Sequence, residues 1–115
     1  MRNDDLSHVR HMLGATREAT SAIAGKKRSD LERNPLLVRS LVRCAEDVGE
    51  AATHVTDDAR RHFPGIPWTA IVAMRKRLMR PDFAVELDRV WDTVVDDLPH
   101  LTTQLEEVVR QSGKK

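Results

Sequence analysis

Apolar residues along this chain recur at intervals of three and four, the period of an α-helix, and nowhere alternate with polar ones as a half-buried strand requires. Leu6, Val9, Leu13, Ala19 and Ile23 share one face of a first helix, which Asn3 or Asp4 can cap. Gly25 ends it and opens a basic loop over 25–33 that contains Lys26-Lys27-Arg28. Asn34 and Pro35 then supply a cap and a first-turn proline for a second helix. Its inward stripe is Val38, Leu41, Ala45, Val48, Ala52 and Val55, widened by Leu37, Cys44 and Ala51. A stripe so wide predicts contact with more than one neighbour. Arg39, Arg43, Glu46, Asp47 and Glu50 take the opposite face.

Thr56-Asp57-Asp58 predicts a capped short turn through Arg61, and two prolines and a glycine between Phe63 and Trp68 break the pattern. A third helix is expected from Trp68 to about Arg80, with Ile71, Met74 and Leu78 inward, stopped by Pro81. Leu87, Val90, Trp91, Val94, Val95 and Leu98 form the stripe of a fourth segment, which Leu98-Pro99 should break or kink. Leu101, Leu105, Val108 and Val109 continue the pattern into a tail over 111–115 that is expected to fray. With no repeat and no separating linker, residues 1–115 read as a single all-α domain, an up-and-down type bundle of four to five helices.

At 115 residues, 40% apolar and 32% charged, the composition is that of a soluble globular domain. No apolar run reaches the length of a membrane span, and the charged N-terminal residues do not resemble a signal peptide. The single cysteine cannot form an internal disulfide, so a cytoplasmic location is expected. Nineteen basic against eighteen acidic residues exclude a globally basic nucleic-acid binder but leave room for a local patch. Without tyrosine and with only two Phe and two Trp, an aromatic-stacking RNA-binding sheet is also excluded.

Few side chains suggest chemistry on their own. His8 and His11 have a spacing that can ligate a metal, but no further ligand accompanies them, and no metal or other cofactor is expected. His54, His62 and His100 read as isolated, and Cys44 reads as a buried, inert thiol rather than a nucleophile. Arg75, Lys76, Arg77 and Arg80 place four cations in six residues. Two explanations stand side by side: complementing the dipole at the end of a helix, or binding phosphate oxygens through guanidinium forks.

Six phrases in order carry a further signal. They are Arg2-Asn3-Asp4, Val48-Gly49-Glu50-Ala51-Ala52, Pro64-Gly65-Ile66-Pro67-Trp68, Met74-Arg75-Lys76-Arg77-Leu78, Phe83-Ala84-Val85-Glu86-Leu87-Asp88 through Trp91, and Asp96-Asp97-Leu98-Pro99-His100-Leu101. Their order and spacing, from near residue 2 to residue 109, resemble the HepT-like proteins of the HEPN superfamily. The resemblance implies a homodimeric helical bundle that acts as the toxin of a toxin–antitoxin module. Its activity would be metal-independent endoribonuclease cleavage in a cleft between the two protomers. The partner it implies is a cognate minimal nucleotidyltransferase, an antitoxin that adds AMP units to a motif tyrosine.

The family motif is an arginine, a polar residue, three further positions, a histidine, a spacer and a tyrosine. Mapped onto this sequence, the arginine is Arg75 and the polar position is Lys76, where asparagine is more usual. The histidine position is Arg80, the spacer Pro81 and the tyrosine position Asp82. Arg75, Arg80 and Asp82 are therefore the candidate catalytic positions, two of them substituted, and Arg75, Lys76, Arg77 and Arg80 the candidate RNA-phosphate contacts. Metal-free RNA cleavage needs a group to take the 2′-hydroxyl proton and another to protonate the leaving oxygen. Imidazole suits that task, whereas arginine stays protonated throughout the accessible range. Arg80 can hold phosphate or stabilise developing charge but cannot shuttle a proton. Asp82, an ionised carboxylate expected to neighbour Arg75, Arg77 and Arg80, is a weak base at neutral pH.

Loss of an acid–base group typically lowers a rate by about 10²–10⁴-fold, so nuclease activity is expected to be impaired. Without tyrosine no tyrosyl oxygen can accept AMP, which agrees with a site that no longer needs silencing. Arg80 could arise by divergence or as a single inactivating change, and the second substitution at Asp82 favours divergence. Two other functional classes stay open. One is a non-catalytic dimeric module that binds a nucleotidyltransferase or an active relative through surplus apolar surface. The other is an RNA or phosphate binder using the motif cations together with Lys26-Lys27-Arg28.

Overall fold

A computed structural model describes residues 1–82 and 84–112. Phe83 of the fifth quoted phrase and the expected frayed end at 113–115 lie outside the described residues, while Gln111 and Ser112 continue the last helix. The all-α bundle is borne out. In chain order the helices are α1 (Asn3–Ala22), α2 (Asp30–Arg33), α3 (Pro35–Thr53), α4 (Asp57–His62), α5 (Trp68–Val72), α6 (Met74–Arg77), α7 (Leu87–Asp92) and α8 (Leu98–Ser112). A π-helical stretch, Thr93–Asp97, joins α7 to α8.

Helix α1 is flanked by α3 and α8, and the core fills the two seams. Val9, Met12, Leu13 and Ala19 of α1 are buried there with Leu41, Ala45, Val48 and Ala52 of α3 and Leu101, Leu105 and Val108 of α8. Neither Asn3 nor Asp4 caps α1: its N-cap is Arg2 and carries no side-chain hydrogen bond. The neighbouring carboxylate serves another helix. Asp5, only 2% exposed, accepts from Thr56 N–H and Thr56 Oγ1, both at 2.8 Å. Thr56 Oγ1 in turn accepts from Ala59 N–H and caps α4 as expected. Asn34 Oδ1 likewise accepts from Leu37 N–H at 3.1 Å, and Pro35 opens α3.

Three predicted elements change. The basic loop is not all loop, because Leu31 is buried and carries the single-turn helix α2 onto the body of the protein. The third helix is broken at Ala73 and ends at Arg77, short of Arg80. Gly49 of α3 explains the close seating of α5. A Cβ there would lie 3.1 Å from the Ile71 carbonyl oxygen and 3.4 Å from that of Val72. Finally, Pro99 does not break the last helix. Leu98 N–H pairs with Thr93 C=O, and this wider turn lets the helix pass the proline without a gap. The same widening turns Val95 outward, against expectation, while Val90, Val94 and Leu98 stay buried.

Candidate functional site

The four cations expected on one helix end divide between two structures. Arg75, Lys76 and Arg77 lie on α6, a single turn packed on α3. Arg80 lies beyond the helix, in a tight loop. Its backbone N–H donates to Ala84 C=O at 2.7 Å, Glu86 N–H donates to Leu78 C=O at 2.7 Å, and Met79 bridges Val85. Pro81 excludes helical geometry at Arg80, and Asp82 Oδ1 accepts from Ala84 N–H at 3.1 Å to shape the turn. The helix-dipole explanation therefore covers Arg75, Lys76 and Arg77 but not Arg80.

The side chains are then sorted by their partners. Arg75 Nε donates to Glu46 Oε1 of α3 at 2.7 Å, with both groups about half-exposed. Arg80 Nε stands 4.0 Å from Asp82 Oδ1. Asp82 thus has Arg80 at the limit of ion-pair distance, and of the three arginines expected around it Arg75 is engaged elsewhere. Lys76 and Arg77 have no ion-pair partner among the described residues. The Arg77 carbonyl accepts from Arg89 Nη1 at 3.4 Å, which ties α6 to α7.

Arg77 also reaches a cavity of about 350 Å³ between α5, α6 and the start of α8, lined by Ile71, Met74, Asp97, His100 and Gln104. His100 thus shares a cavity with Met74 and Arg77 of α6, a neighbour that the sequence reading missed. The basic loop is less available than expected. Arg28 Nε donates to Asp88 Oδ1 at 2.7 Å and its Nη1 lies 3.5 Å from Glu32 Oε1.

The remaining candidates fall outside this region. His8 stacks on His54 with ring centroids 5.1 Å apart, and His54 Nε2 lies 3.1 Å from Glu50 Oε1, so neither histidine is isolated. Among the described residues no group of three or more His, Cys, Asp or Glu side chains is placed to hold a metal ion. Cys44 is buried, and its Sγ donates to Glu18 Oε2 at 3.6 Å. Burial, then the negative charge of Glu18, pushes the thiol up to about 11, so it stays protonated and inert at neutral pH.

Residues 12–108 match the family model described as "Ribonuclease HepT-like". The chain belongs to the HepT-like family. Among its HepT-like relatives is "Putative RNase TTE0752" of Caldanaerobacter subterraneus subsp. tengcongensis, 27% identical over 104 residues, which are 90% of this chain and 93% of that protein. "Probable ribonuclease HepT" of Thermococcus cleftensis is 33% identical over 69 residues, 60% of this chain and 63% of its own. "Putative RNase MJ0125" of Methanocaldococcus jannaschii is 28% identical over 82 residues, 71% of each chain. No solved structure matches the chain. The family assignment agrees with the all-α bundle, and no described helix is long and apolar enough to cross a membrane.

Glu46 is a second residue that sequence reasoning missed. The helical period puts it on a solvent face of α3, yet it holds the guanidinium of Arg75. Twenty-nine positions separate the pair, so periodicity within α3 had no way to announce it.

Proposed function

We propose that this protein is the toxin component of a HEPN/MNT toxin–antitoxin module in which the ribonuclease motif has degenerated while its RNA-holding cations remain. The observation that carries the reading is the identity of the residue at the motif's histidine position. Arg80 stands there on the loop after α6, and none of the five histidines falls within 75–82. A guanidinium can stabilise a phosphorane-like charge but cannot exchange a proton at neutral pH. Lys76 and Arg77, without ion-pair partners among the described residues, supply the phosphate contacts, while Arg75 is paired with Glu46 and Arg80 stands beside Asp82. The protein works as a cytoplasmic homodimer, uses no metal or cofactor, and pairs with a minimal nucleotidyltransferase that finds no tyrosine to modify.

The test incubates end-labelled single-stranded RNA with purified protein in excess EDTA. The expected result is binding without cleavage. Cleavage by the wild type that disappears in Arg75→Ala would overturn the degenerate-site reading.

One observation favours a second reading, a non-catalytic interaction module. Leu36 is 71% exposed at the start of α3, where Leu31, Pro35, Val38, Val85 and Leu87 line an apolar groove. That reading predicts a nucleotidyltransferase or an active relative that co-purifies with the wild type and is lost from Leu36→Glu.

A further inference from the structure

Arg39, Arg43 and Glu46 occupy one stripe of α3, spaced four and three residues apart. On an α-helix that spacing keeps the three side chains within about 60° of one another, with Arg39 and Arg43 about 6 Å apart along the axis. The stripe adjoins the proposed motif region at two points. At one end Glu46 holds Arg75 of α6 at 2.7 Å. At the other, Arg39 shares a groove with Val85, whose bridge to Met79 closes the loop bearing Arg80 and Asp82. Arg43 lies between them. Both Arg39 and Arg43 are exposed, and neither has an ion-pair partner among the described residues.

The carboxylates near this stripe do not cancel it. Glu46 is engaged by Arg75, Glu32 at the groove lies 3.5 Å from Arg28, which Asp88 shares, and Glu50 one turn beyond Glu46 lies 3.1 Å from His54. Asp47 follows Arg43 by one turn and stays outside ion-pair distance of it among the described residues. A protein with a net charge of only +1 therefore concentrates free arginine on the side of α3 that the motif loop and α6 also flank.

We infer that the binding surface for single-stranded RNA extends from α6 onto α3, with Arg43 and Arg39 gripping consecutive backbone phosphates beyond the motif. The inference rests on the RNA-holding role proposed above. Guanidinium forks pair with phosphate oxygens without reading bases, so the extension lends affinity and a track for the strand rather than sequence preference.

The experiment is fluorescence anisotropy of a labelled single-stranded RNA 20-mer with the full chain, titrated across salt concentration. It compares wild type, Arg39→Gln/Arg43→Gln, Lys76→Gln/Arg77→Gln and a control, Arg61→Gln/Arg110→Gln. The control removes the same charge from α4 and α8. Each lost phosphate contact lowers the salt slope by about 0.7 for single strands, so the stripe variant should lose about 1.4. Taking such contacts as neutral at 1 M salt, that slope is about 25-fold in affinity at 0.1 M. Unchanged circular dichroism and urea midpoints establish that every variant is folded.

A stripe variant within twofold of wild type, while Lys76→Gln/Arg77→Gln weakens binding, overturns the extension and leaves the motif reading standing. A control that loses as much as the stripe variant also overturns it, since net charge would then account for the effect. Wild-type protein that binds no RNA overturns the extension and the reading beneath it together.

Discussion

Replacing Glu46 by glutamine should strengthen RNA binding while costing almost no stability. Arg75 Nε and Glu46 Oε1 are 2.7 Å apart, but the two side chains are 56% and 42% exposed, so water screens the pair. Exposed ion pairs contribute about 0.2–1 kcal/mol, and glutamine retains an oxygen that can accept the same hydrogen bond. The expected loss of stability is therefore below about 1 kcal/mol, read as a small fall in the urea midpoint. The charge balance changes more. In the wild type the carboxylate neutralises Arg75, and in Glu46→Gln that charge becomes available to a phosphate. One added contact steepens the salt slope by about 0.7, equivalent to about fivefold in affinity at 0.1 M salt. Anisotropy against single-stranded RNA measures both quantities. Binding weakened tenfold in a variant of unchanged stability would refute the reasoning, because Glu46 would then be acting by aiming Arg75 rather than by masking it.

Three further outcomes test the packing around the site. Asp5→Ala should cost about 1–3 kcal/mol in urea denaturation, since it removes the acceptor of both Thr56 bonds and loosens the cap of α4. Gly49→Val should cost more than Gly49→Ala, because even one Cβ meets the Ile71 carbonyl at 3.1 Å, and α5 must move away from α3 to admit the larger side chain. Cys44 should react with a disulfide reagent at least about tenfold more slowly than an exposed thiol near pH 7, since the fall in thiolate is only partly offset by its higher nucleophilicity. Its raised titration point also makes the stability that it contributes complete below pH 9.0 and lost as pH rises through about 11. A Cys44→Ala variant should lack that alkaline decline when the two urea midpoints are compared across the interval.

Local signals in the sequence were read correctly where the physics is local. Asn34-Pro35 and Thr56 act within a few residues of themselves, and both caps are found where their side chains predict. The inward stripes hold for the same reason, since Leu41, Val48, Leu101 and Leu105 need only the helical period to reach the core. What stayed illegible depends on contacts distant in sequence. The helix with good periodicity is interrupted at Ala73, where the end of α5 lies against Gly49 of α3, a contact distant in sequence. Asp5 reaches from α1 to Thr56, fifty-one residues away, and α1 starts at Asn3 itself, so neither Asn3 nor Asp4 stands at the cap position. Pro99 looked like a break because the rule for proline assumes an α-turn, and a π-turn escapes it.

The candidate site shows the same division. Arg75, Arg80 and Asp82 are motif candidates by spacing and resemblance alone, and nothing in the sequence pointed to their partners. Glu46 lies on another helix, and Pro81 was expected to end a helix at Arg80, when the chain had already left it at Arg77. The loop geometry that follows puts Arg80 beyond the reach of the helix dipole and beside Asp82.

The central claim is that this HepT-like chain keeps the surface that holds RNA and lacks the group that moves the proton. The most direct measurement is cleavage of labelled RNA in excess EDTA by wild type, by Arg80→His, and by Arg80→His combined with Asp82→Tyr. The account predicts intact RNA with the wild type and cleavage products once histidine is present, a gain on the order of 10²–10⁴-fold. Equal cleavage by wild type and Arg80→His, abolished in both backgrounds by Arg75→Ala, would contradict it.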